Sequence, residues 1–201
     1  SVAPVSTRGE AIYLEQVEAS IACLEASKSM APQIARAADL LTKVLREGGR
    51  LFACGNGGSA ADASHFTTEL LCRLKDDRAP LAAMALTTDS SFLTATANDY
   101  GYEYVFSRQV QGLGNPGDVL VALSTSGNSP NVEKALHAAK VGQMRTVSLL
   151  GKDGGSCAGL AEIDLIVPCQ STARIQETHQ VIIHTLCLLI EHSLFDMPAT
   201  L

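Results

Sequence analysis

The spacing of apolar residues at the start of the chain predicts two consecutive helices. Over residues 10–28, apolar side chains recur every three or four positions, as in an amphipathic helix: Leu14, Val17, Ile21 and Leu24. A second helix is predicted from Ser29 to Gly48, with Pro32 in its first turn, where a helix tolerates proline. Because no strand is predicted between the two, we expect residues 1–49 to form a helical arm suited to packing on another subunit.

From residue 50 onward, short apolar runs alternate with helical segments. Strands are predicted at residues 50–54, 80–86, 118–124, 144–151 and 163–169. Helices are predicted up to about Arg73 and at residues 106–113, 130–142 and 172–195. Such alternation is typical of βαβ units, which build a parallel sheet buried on both faces. We therefore expect one α/β domain over residues 1–201, in which the arm precedes a parallel core at residues 50–201.

The composition excludes several classes of protein. With 46 % hydrophobic and 18 % charged residues, the 201-residue chain is too apolar for intrinsic disorder. Its net charge of −6, the absence of a basic block and an aromatic content of 4 % argue against a nucleic-acid ligand. We find no secretory signal and no run of about 20 apolar residues, the length that spans a bilayer, so no membrane partner is expected.

The cysteines indicate a reducing environment. The six residues form no C-x-x-C pair, so neither a zinc knuckle nor a dithiol redox motif is predicted. Most of them lie in apolar runs, where a free cysteine behaves as a small hydrophobic residue. We therefore expect a cytoplasmic location.

Two polar loops follow predicted strands and carry candidate binding groups. In open parallel sheets, ligands bind where the carboxyl ends of strands meet the N-termini of helices. The first polar loop, residues 55–59, holds glycines that let a ligand approach the backbone. The second polar loop, residues 124–129, holds four hydroxyl groups around one glycine, ahead of a helix. This arrangement favours a phosphate group without a formal positive charge.

A simpler interpretation of either loop is a turn followed by a helix cap, for which a single serine is sufficient. The run of Ser124, Thr125 and Ser126 exceeds that need. The glycines match neither the dinucleotide fingerprint nor the Walker pattern, which disfavours dinucleotide or ATP binding.

Four side chains on two predicted helices form a candidate set for metal binding and proton transfer. His65 and Glu69 lie four residues apart on one face of the helix after the first polar loop. Gln176 and His184 share a face of the last helix. Two imidazoles, one carboxylate and one amide oxygen suit a divalent metal such as Zn²⁺ and can leave a position open for substrate.

Local sequence leaves plainer interpretations of these residues open. A lone histidine on an apolar helix is more often a satisfied buried or surface residue, which applies to both His65 and His184. Glu69 could be a solvated carboxylate that pairs with Arg73 on the helix surface. Among the other histidines, only His179 is a candidate for a supporting or structural role.

Together, these motifs resemble those of a known family. The stretches GNGGSAADASHF, STSGNS and TARIQETHQVIIHTLCLLIEH, with Glu69 after the first, are similar to the phosphoheptose isomerases of the sugar isomerase (SIS) fold family. The resemblance spans essentially the whole chain. It implies a flavodoxin-like αβα sandwich, usually a homotetramer with sites between subunits. It also implies interconversion of sedoheptulose 7-phosphate and D-glycero-D-manno-heptose 7-phosphate, the first step towards the heptose of lipopolysaccharide or other surface glycans.

The resemblance also assigns site residues. It implies one zinc ion per subunit, held by His65, Glu69, Gln176 and His184. It places the phosphate on Ser59, Ser124, Thr125, Ser126 and Ser129. Further substrate contacts are expected from Gln176, Asn56, Gly57, Gly58, Arg73, Asn98 and Asp99. Some family members carry an aspartate where this chain has Ala173, so one sugar-hydroxyl contact is expected to be absent or supplied by another group.

The chemistry of an aldose–ketose isomerisation fits these side chains. A proton moves between C2 and C1 of the sugar through an enediol, which needs a base on one side and an acid near the carbonyl end. Glu69 is the candidate base at C2 and His184 the complementary acid–base group, while zinc would polarise the carbonyl oxygen. Asp99 is a candidate for assisting the opening of the cyclic sugar.

Three other functions are weighed against this one. A non-catalytic relative of the same fold family is a tetrameric scaffold that binds the bacterial replication initiator; that function would be favoured if Glu69 and His184 were missing, and both are present. A sugar-phosphate-sensing regulatory domain would come with a DNA-binding segment, and none is found in the sequence. An isomerase or an amino-sugar-phosphate lyase that acts on another sugar is poorly separated from the main interpretation.

Overall fold

The chain folds into alternating helices and strands. The structure, a computed structural model, describes residues 5–197. Within these residues the helices are α1 (Val5–Ser27), α2 (Ala31–Arg46), α3 (Gly58–Leu71), α4 (Ser90–Asp99), α5 (Ser107–Leu113), α6 (Pro130–Val141) and α7 (Thr172–Phe195). The strands are β1 (Leu51–Cys54), β2 (Ala83–Ala85), β3 (Val119–Ser124), β4 (Arg145–Gly151) and β5 (Ile163–Val167).

The strands form one parallel sheet in the order β2-β1-β3-β4-β5. The register pairs Leu51 with Ala83 on one side of β1 and with Val119 on the other. β2 lies beyond β1 at one side of the sheet, whereas β4 and β5 follow β3 on the other side. The direction in which strands are added therefore reverses between β1 and β3. In flavodoxin-like sheets, that reversal point opens a crevice at the carboxyl ends of the strands.

Helices cover both faces of the sheet and bury its side chains. On one face, α2, α3 and α7 contribute fully buried residues such as Leu41, Phe66 and Ile183. On the other face, α5 and α6 contribute Val110 and Leu136. Every residue of β1 and β3 is buried, as continuous apolar strands of a two-sided parallel sheet should be. These layers confirm the predicted αβα fold, including the long helix at its N-terminus.

The two N-terminal helices contact the rest of the chain differently. α2 buries Ala37, Leu41 and Val44 in the layer that covers the sheet, so it joins the core. α1 packs along α7 and leaves Tyr13 and Leu14 exposed. Of the predicted arm, α1 is therefore the part that lies outside the core layer, and residues 1–4 lie outside the described residues.

Two elements differ from their predicted extents. β2 is limited to Ala83–Ala85, whereas the apolar run predicted a strand over residues 80–86. α4 has no predicted counterpart, although its start carries a recognisable cap: the Asp89 side chain accepts a hydrogen bond from the Phe92 N–H at 3.0 Å. None of the helices within residues 5–197 is both long and apolar enough to cross a membrane.

A disulfide joins α1 to the loop that precedes α7. Cys23 and Cys169 are paired, with their Cα atoms 5.9 Å apart. Local sequence carries no sign of this pair, because 146 positions separate the two residues, and the interpretation as free cysteines is wrong for both. Cys54, Cys157 and Cys187 are free and buried, and burial raises the pKa of each thiol. These three therefore stay protonated and behave as small hydrophobic side chains.

His179 anchors α7 to the sheet from a fully buried position. Its Nε2 lies 2.9 Å from the carbonyl oxygen of Leu150 in β4. Burial lowers the pKa of the imidazole to about 4, so the ring is neutral near pH 7. A carbonyl oxygen only accepts hydrogen bonds, which assigns the proton of the neutral ring to Nε2.

We predict that burial of His179 makes the folded state less stable as the pH falls. In the unfolded chain this imidazole takes up a proton near pH 6.5, whereas in the folded chain it does so only near pH 4. The unfolded state therefore binds more protons within this window, and the loss of stability approaches about 3 kcal/mol at its lower end. Urea unfolding of the wild type and of His179→Gln between about pH 7 and about pH 4 measures the effect.

The variant should lose stability less steeply than the wild type across that window. The same substitution at the exposed His137 controls for the loss of an imidazole as such. Equal slopes for the wild type and His179→Gln would contradict a neutral buried ring.

Candidate active site

The first polar loop contacts the start of α6, near the carboxyl ends of β1 and β3. The side chains of Asn56, in the first polar loop, and Asn131, in the first turn of α6, face each other. Each amide nitrogen donates to the other amide oxygen at 2.8 Å. The Tyr102 hydroxyl donates to the same Asn56 oxygen at 3.3 Å. The crevice predicted from the strand ends is therefore held together by direct contacts between its two sides.

The second polar loop gathers its hydroxyl groups at the start of α6. Ser124 is the buried last residue of β3, and its Oγ lies 2.9 Å from Oγ of Ser129, the residue that precedes α6. The Gly127 N–H donates to Ser124 Oγ at 3.1 Å, and Gly127 has a positive φ of 67°. Thr125 and Ser126 are half-buried between them. Hydroxyl groups clustered at a helix N-terminus suit an anion such as phosphate.

A neighbouring turn fixes this loop from outside. The turn Gly155–Cys157 follows β4, and the Cys157 N–H donates to the Gly127 carbonyl oxygen at 2.9 Å. The Ser156 N–H donates to Asn128 Oδ1 at 2.9 Å. Sequence patterns do not link this turn to the loop, because the contacts join segments almost thirty residues apart.

The first polar loop leads into α3 with little space around its backbone. Gly57 has a positive φ of 56° and precedes the helix, and Ser59 in the first turn is buried. A Cβ atom on Gly58 would lie 2.8 Å from the side-chain amide carbon of Gln176, on α7. Glycine at position 58 therefore lets the amide of α7 lie directly against the start of α3.

Three side chains from α3 and α7 converge, and we call them the ligand cluster: His65, Glu69 and His184. Their ligand atoms all lie within 4.8 Å of one another. His65 Nε2 is 2.9 Å from Glu69 Oε1 and 3.1 Å from His184 Nε2. The spacing of four residues puts His65 and Glu69 on one face of α3, as predicted.

The donor set of the ligand cluster fits a divalent metal. Two imidazole nitrogens at about 2.1 Å from a tetrahedral zinc ion lie roughly 3.3 Å apart, close to the 3.1 Å between these two rings. Two histidines and one carboxylate form a set of three protein ligands, which leaves a further position for another ligand or for substrate. Gln176, the fourth predicted ligand, makes no hydrogen bond to the cluster among residues 5–197; its amide lies against Gly58.

A buried polar pair lies one turn away from the ligand cluster on both helices. The Gln180 amide of α7 donates to Asp62 Oδ1 of α3. Burial raises the pKa of the Asp62 carboxyl, while the hydrogen bond from Gln180 and the charge of His65 act in the opposite direction. In the part of the chain that the structure describes, Asp62 Oδ2 and Gln180 Oε1 have no hydrogen-bond partner. The pair ties α3 to α7 beside His65 and His184.

Three predicted substrate contacts lie apart from this arrangement. Arg73 is exposed beyond the end of α3 and donates to the Lys75 carbonyl oxygen at 3.3 Å. Asn98 and Asp99 are exposed at the end of α4 and bond to each other at 2.9 Å. Over the described residues, none of the three makes a hydrogen bond to the ligand cluster or to either polar loop, so their place in the site stays a prediction.

Comparison with known proteins gives consistent matches over nearly the whole chain. The SIS domain family matches residues 12–151. The phosphoheptose isomerase of Shewanella halifaxensis is 50 % identical over 186 residues, which cover 91 % of this chain and 93 % of that protein. The structure of a phosphoheptose isomerase from Neisseria gonorrhoeae has a TM-score of 0.83 and 45 % identity, and one from Francisella tularensis has 0.85 and 36 %. Each match covers 94 % of this chain and 99 % of the other.

Proposed function

We propose which reaction this protein catalyses. The premise is that the chain belongs to the phosphoheptose isomerase family of SIS-domain proteins and is an aldose–ketose isomerase. The reaction is the interconversion of sedoheptulose 7-phosphate and D-glycero-D-manno-heptose 7-phosphate. The observation that carries this proposal is the convergence of the ligand cluster within 4.8 Å, with His65 and Glu69 on a helix that begins at the first polar loop. A proton-transfer centre and a phosphate-binding loop are the two parts that such a substrate requires.

The second polar loop binds the phosphate group in this proposal. Its hydroxyl groups, together with that of Ser59, donate hydrogen bonds to the phosphate oxygens, and the helix N-termini of α3 and α6 favour its negative charge. The net charge of −6 does not oppose this, because hydroxyl and N–H donors hold a single phosphate without formal cations. The predicted phosphate contacts are Ser59, Ser124, Thr125, Ser126 and Ser129.

Glu69 and His184 move the protons. From aldose to ketose, the Glu69 carboxylate takes the proton from C2, and protonated His184 donates a proton to the carbonyl oxygen at C1, which gives an enediol. Glu69 then returns its proton to C1, and His184 takes back the proton of the C2 hydroxyl group, which gives the ketone. The 2.9 Å and 3.1 Å contacts of His65 with these two residues support their action on one substrate.

A zinc ion completes the proposed site, with one ion per subunit. His65, Glu69 and His184 would hold it, with Gln176 as a fourth ligand. When bound, zinc supplies a Lewis acid that polarises the carbonyl oxygen of the substrate. Because Glu69 and His184 would each be both a ligand and a proton-transfer group, both side chains have to change their contacts during turnover.

We also propose where the protein acts, how it assembles and what its product supplies. The protein acts in the cytoplasm as a homotetramer, and its product feeds heptose synthesis for lipopolysaccharide or another surface glycan. The location rests on the proposed reaction, because the Cys23–Cys169 pair removes the argument from free cysteines. The exposed apolar residues Ile12, Tyr13, Leu14 and Ile21 on α1 support self-assembly, because they are unpaired in the single chain that the structure describes.

A substrate panel tests the reaction directly. Purified protein loaded with Zn²⁺ is incubated with sedoheptulose 7-phosphate and with shorter sugar phosphates, and the products are followed by NMR. We expect conversion of the heptulose phosphate to the aldose, and loss of that conversion after treatment with a chelator. Conversion that survives removal of all metal would remove zinc from the mechanism. Turnover of another sugar phosphate alone would overturn the proposed substrate.

A further inference from the structure

The side chain of Arg78, which the proposed mechanism does not use, is buried and caps the C-terminal end of α3. Arg78 lies in the segment before β2, and its side chain is 2 % exposed. Its Nη2 donates to the carbonyl oxygen of Glu69 at 2.6 Å, and its Nη1 donates to those of Leu70 at 2.7 Å and Cys72 at 3.2 Å. The last carbonyl groups of a helix lack intrahelical partners and favour a cation, so this guanidinium satisfies the C-terminal turn that carries Glu69.

A carboxylate on α7 holds this guanidinium in place. Glu191 is 4 % exposed, and its Oε1 accepts a hydrogen bond from Nε of Arg78 at 2.8 Å and lies 2.8 Å from Nη2. The same oxygen accepts from the Leu74 N–H at 3.3 Å. Glu191 follows His184 by seven residues, so the two lie on one face of α7. One arginine therefore connects the two helices that carry the ligand cluster.

We propose that Arg78 is a positioning residue for Glu69. By fixing the Glu69 carbonyl group and the last turn of α3 against α7, it sets the direction of the Glu69 carboxylate relative to His65 and His184. The proposal rests on the proposed function, because it assigns Glu69 as base and ligand. A displacement of about 1 Å at a reacting group can lower a rate by roughly 100-fold, so a fixed helix end has a kinetic consequence beyond stability.

The competing interpretation is that Arg78 and Glu191 only stabilise the fold. Removal of one partner of a buried ion pair destabilises a protein, whereas replacement of both by apolar residues of similar size is often neutral. The double variant Arg78→Met/Glu191→Leu therefore removes the hydrogen bonds to the helix end without leaving a buried charge. The matched control is Arg145→Met/Glu162→Leu, the same change at an ion pair that joins β4 to the segment before β5.

The readouts are kcat, KM, and the affinity for Zn²⁺ in the absence of substrate, measured by competition with a chromophoric chelator. We expect the double variant to keep KM within about twofold while kcat and Zn²⁺ affinity each fall roughly 10- to 100-fold. The control variant should match the wild type. Arg78→Lys keeps the charge but not the planar fork of donors, so it should show a smaller loss in the same two quantities.

A double variant with the kcat and Zn²⁺ affinity of the wild type overturns the proposal. If the double variant does not fold, Arg78→Lys decides, and wild-type values for both quantities overturn the proposal equally. The wild type, assayed in parallel, separates the two proposals. If the wild type is active and binds zinc, and its variants have the same kcat and Zn²⁺ affinity, only the role of Arg78 is contradicted. If the wild type neither binds zinc nor turns over the heptulose phosphate, the role of Arg78 and the proposed function are both contradicted.

Discussion

Glu69→Gln is expected to lower kcat by about 10³-fold while the protein stays folded. Glutamine keeps the size of the side chain and an oxygen for the 2.9 Å contact with His65, but it has no basic carboxylate to take the C2 proton. Turnover is measured by NMR, with the exchange of solvent deuterium into the sugar as a second readout. Both should be lost together, because the exchange needs the same proton abstraction.

Glu25→Gln makes the same chemical change on the exposed face of α1, where Glu25 pairs with Lys28, and serves as the control. It should leave kcat at the wild-type value. A second variant, His184→Gln, is expected to lower kcat to a similar degree. Combined with Glu69→Gln it should add little, because residues that act as a unit are strongly non-additive. Near-normal turnover in either single variant would remove that residue from the proton-transfer step.

Gly127→Ala is expected to destabilise the folded chain by about 3 kcal/mol and to weaken phosphate binding at the same time. The positive φ of 67° is unfavourable for any residue with a Cβ atom. That Cβ atom would also meet the carbonyl oxygen of Gly154 and lie 2.9 Å from the Gly155 nitrogen. The second polar loop would have to move away from the neighbouring turn and would disturb the bond from the Gly127 N–H to Ser124 Oγ.

Urea unfolding and the KM for the sugar phosphate measure the two effects. The control is Gly112→Ala in α5, where an added Cβ atom meets no atom within 4 Å. A helical glycine replaced by alanine in open space should gain about 0.5–1 kcal/mol of stability and leave KM unchanged. A Gly127→Ala protein as stable as the wild type would show that the loop tolerates the side chain. It would then be wrong to treat the loop as rigid.

Periodicity and chain order were enough to predict the layers of the fold and the place of the two polar loops at strand ends. Alternation of apolar runs and helices predicts a parallel sheet, and ligand-binding loops at strand ends follow from that sheet. The i, i+4 spacing of His65 and Glu69 predicts their shared face, because this relation is local. The approach of His184 to His65, 119 positions earlier, is a tertiary contact that the resemblance implied, and the two Nε2 atoms lie 3.1 Å apart in the structure.

The supporting contacts could not be predicted in this way. Arg78 contacts Glu191 across 113 positions, and Cys23 contacts Cys169 across 146. Neither residue pair has a periodic or motif-like signal, since each depends on where two separate segments meet after folding. Likewise, the sequence shows Asn131 only as a polar residue in the first turn of a helix, and its contact with Asn56 is seen only in the structure. Local patterns identify the candidate reacting groups, whereas the residues that hold them in place are found only from their packing in the folded chain.

The paired amides of Asn56 and Asn131 also constrain how this protein can evolve. Each amide satisfies both hydrogen-bonding groups of the other at 2.8 Å, and Asn131 is almost fully buried. A substitution at Asn56 leaves the buried amide of Asn131 with unmet donors and acceptors, a loss of about 1–3 kcal/mol. The two positions are therefore epistatic: a change at Asn56 is tolerated when Asn131 changes with it, or when the rest of the fold has first become more stable.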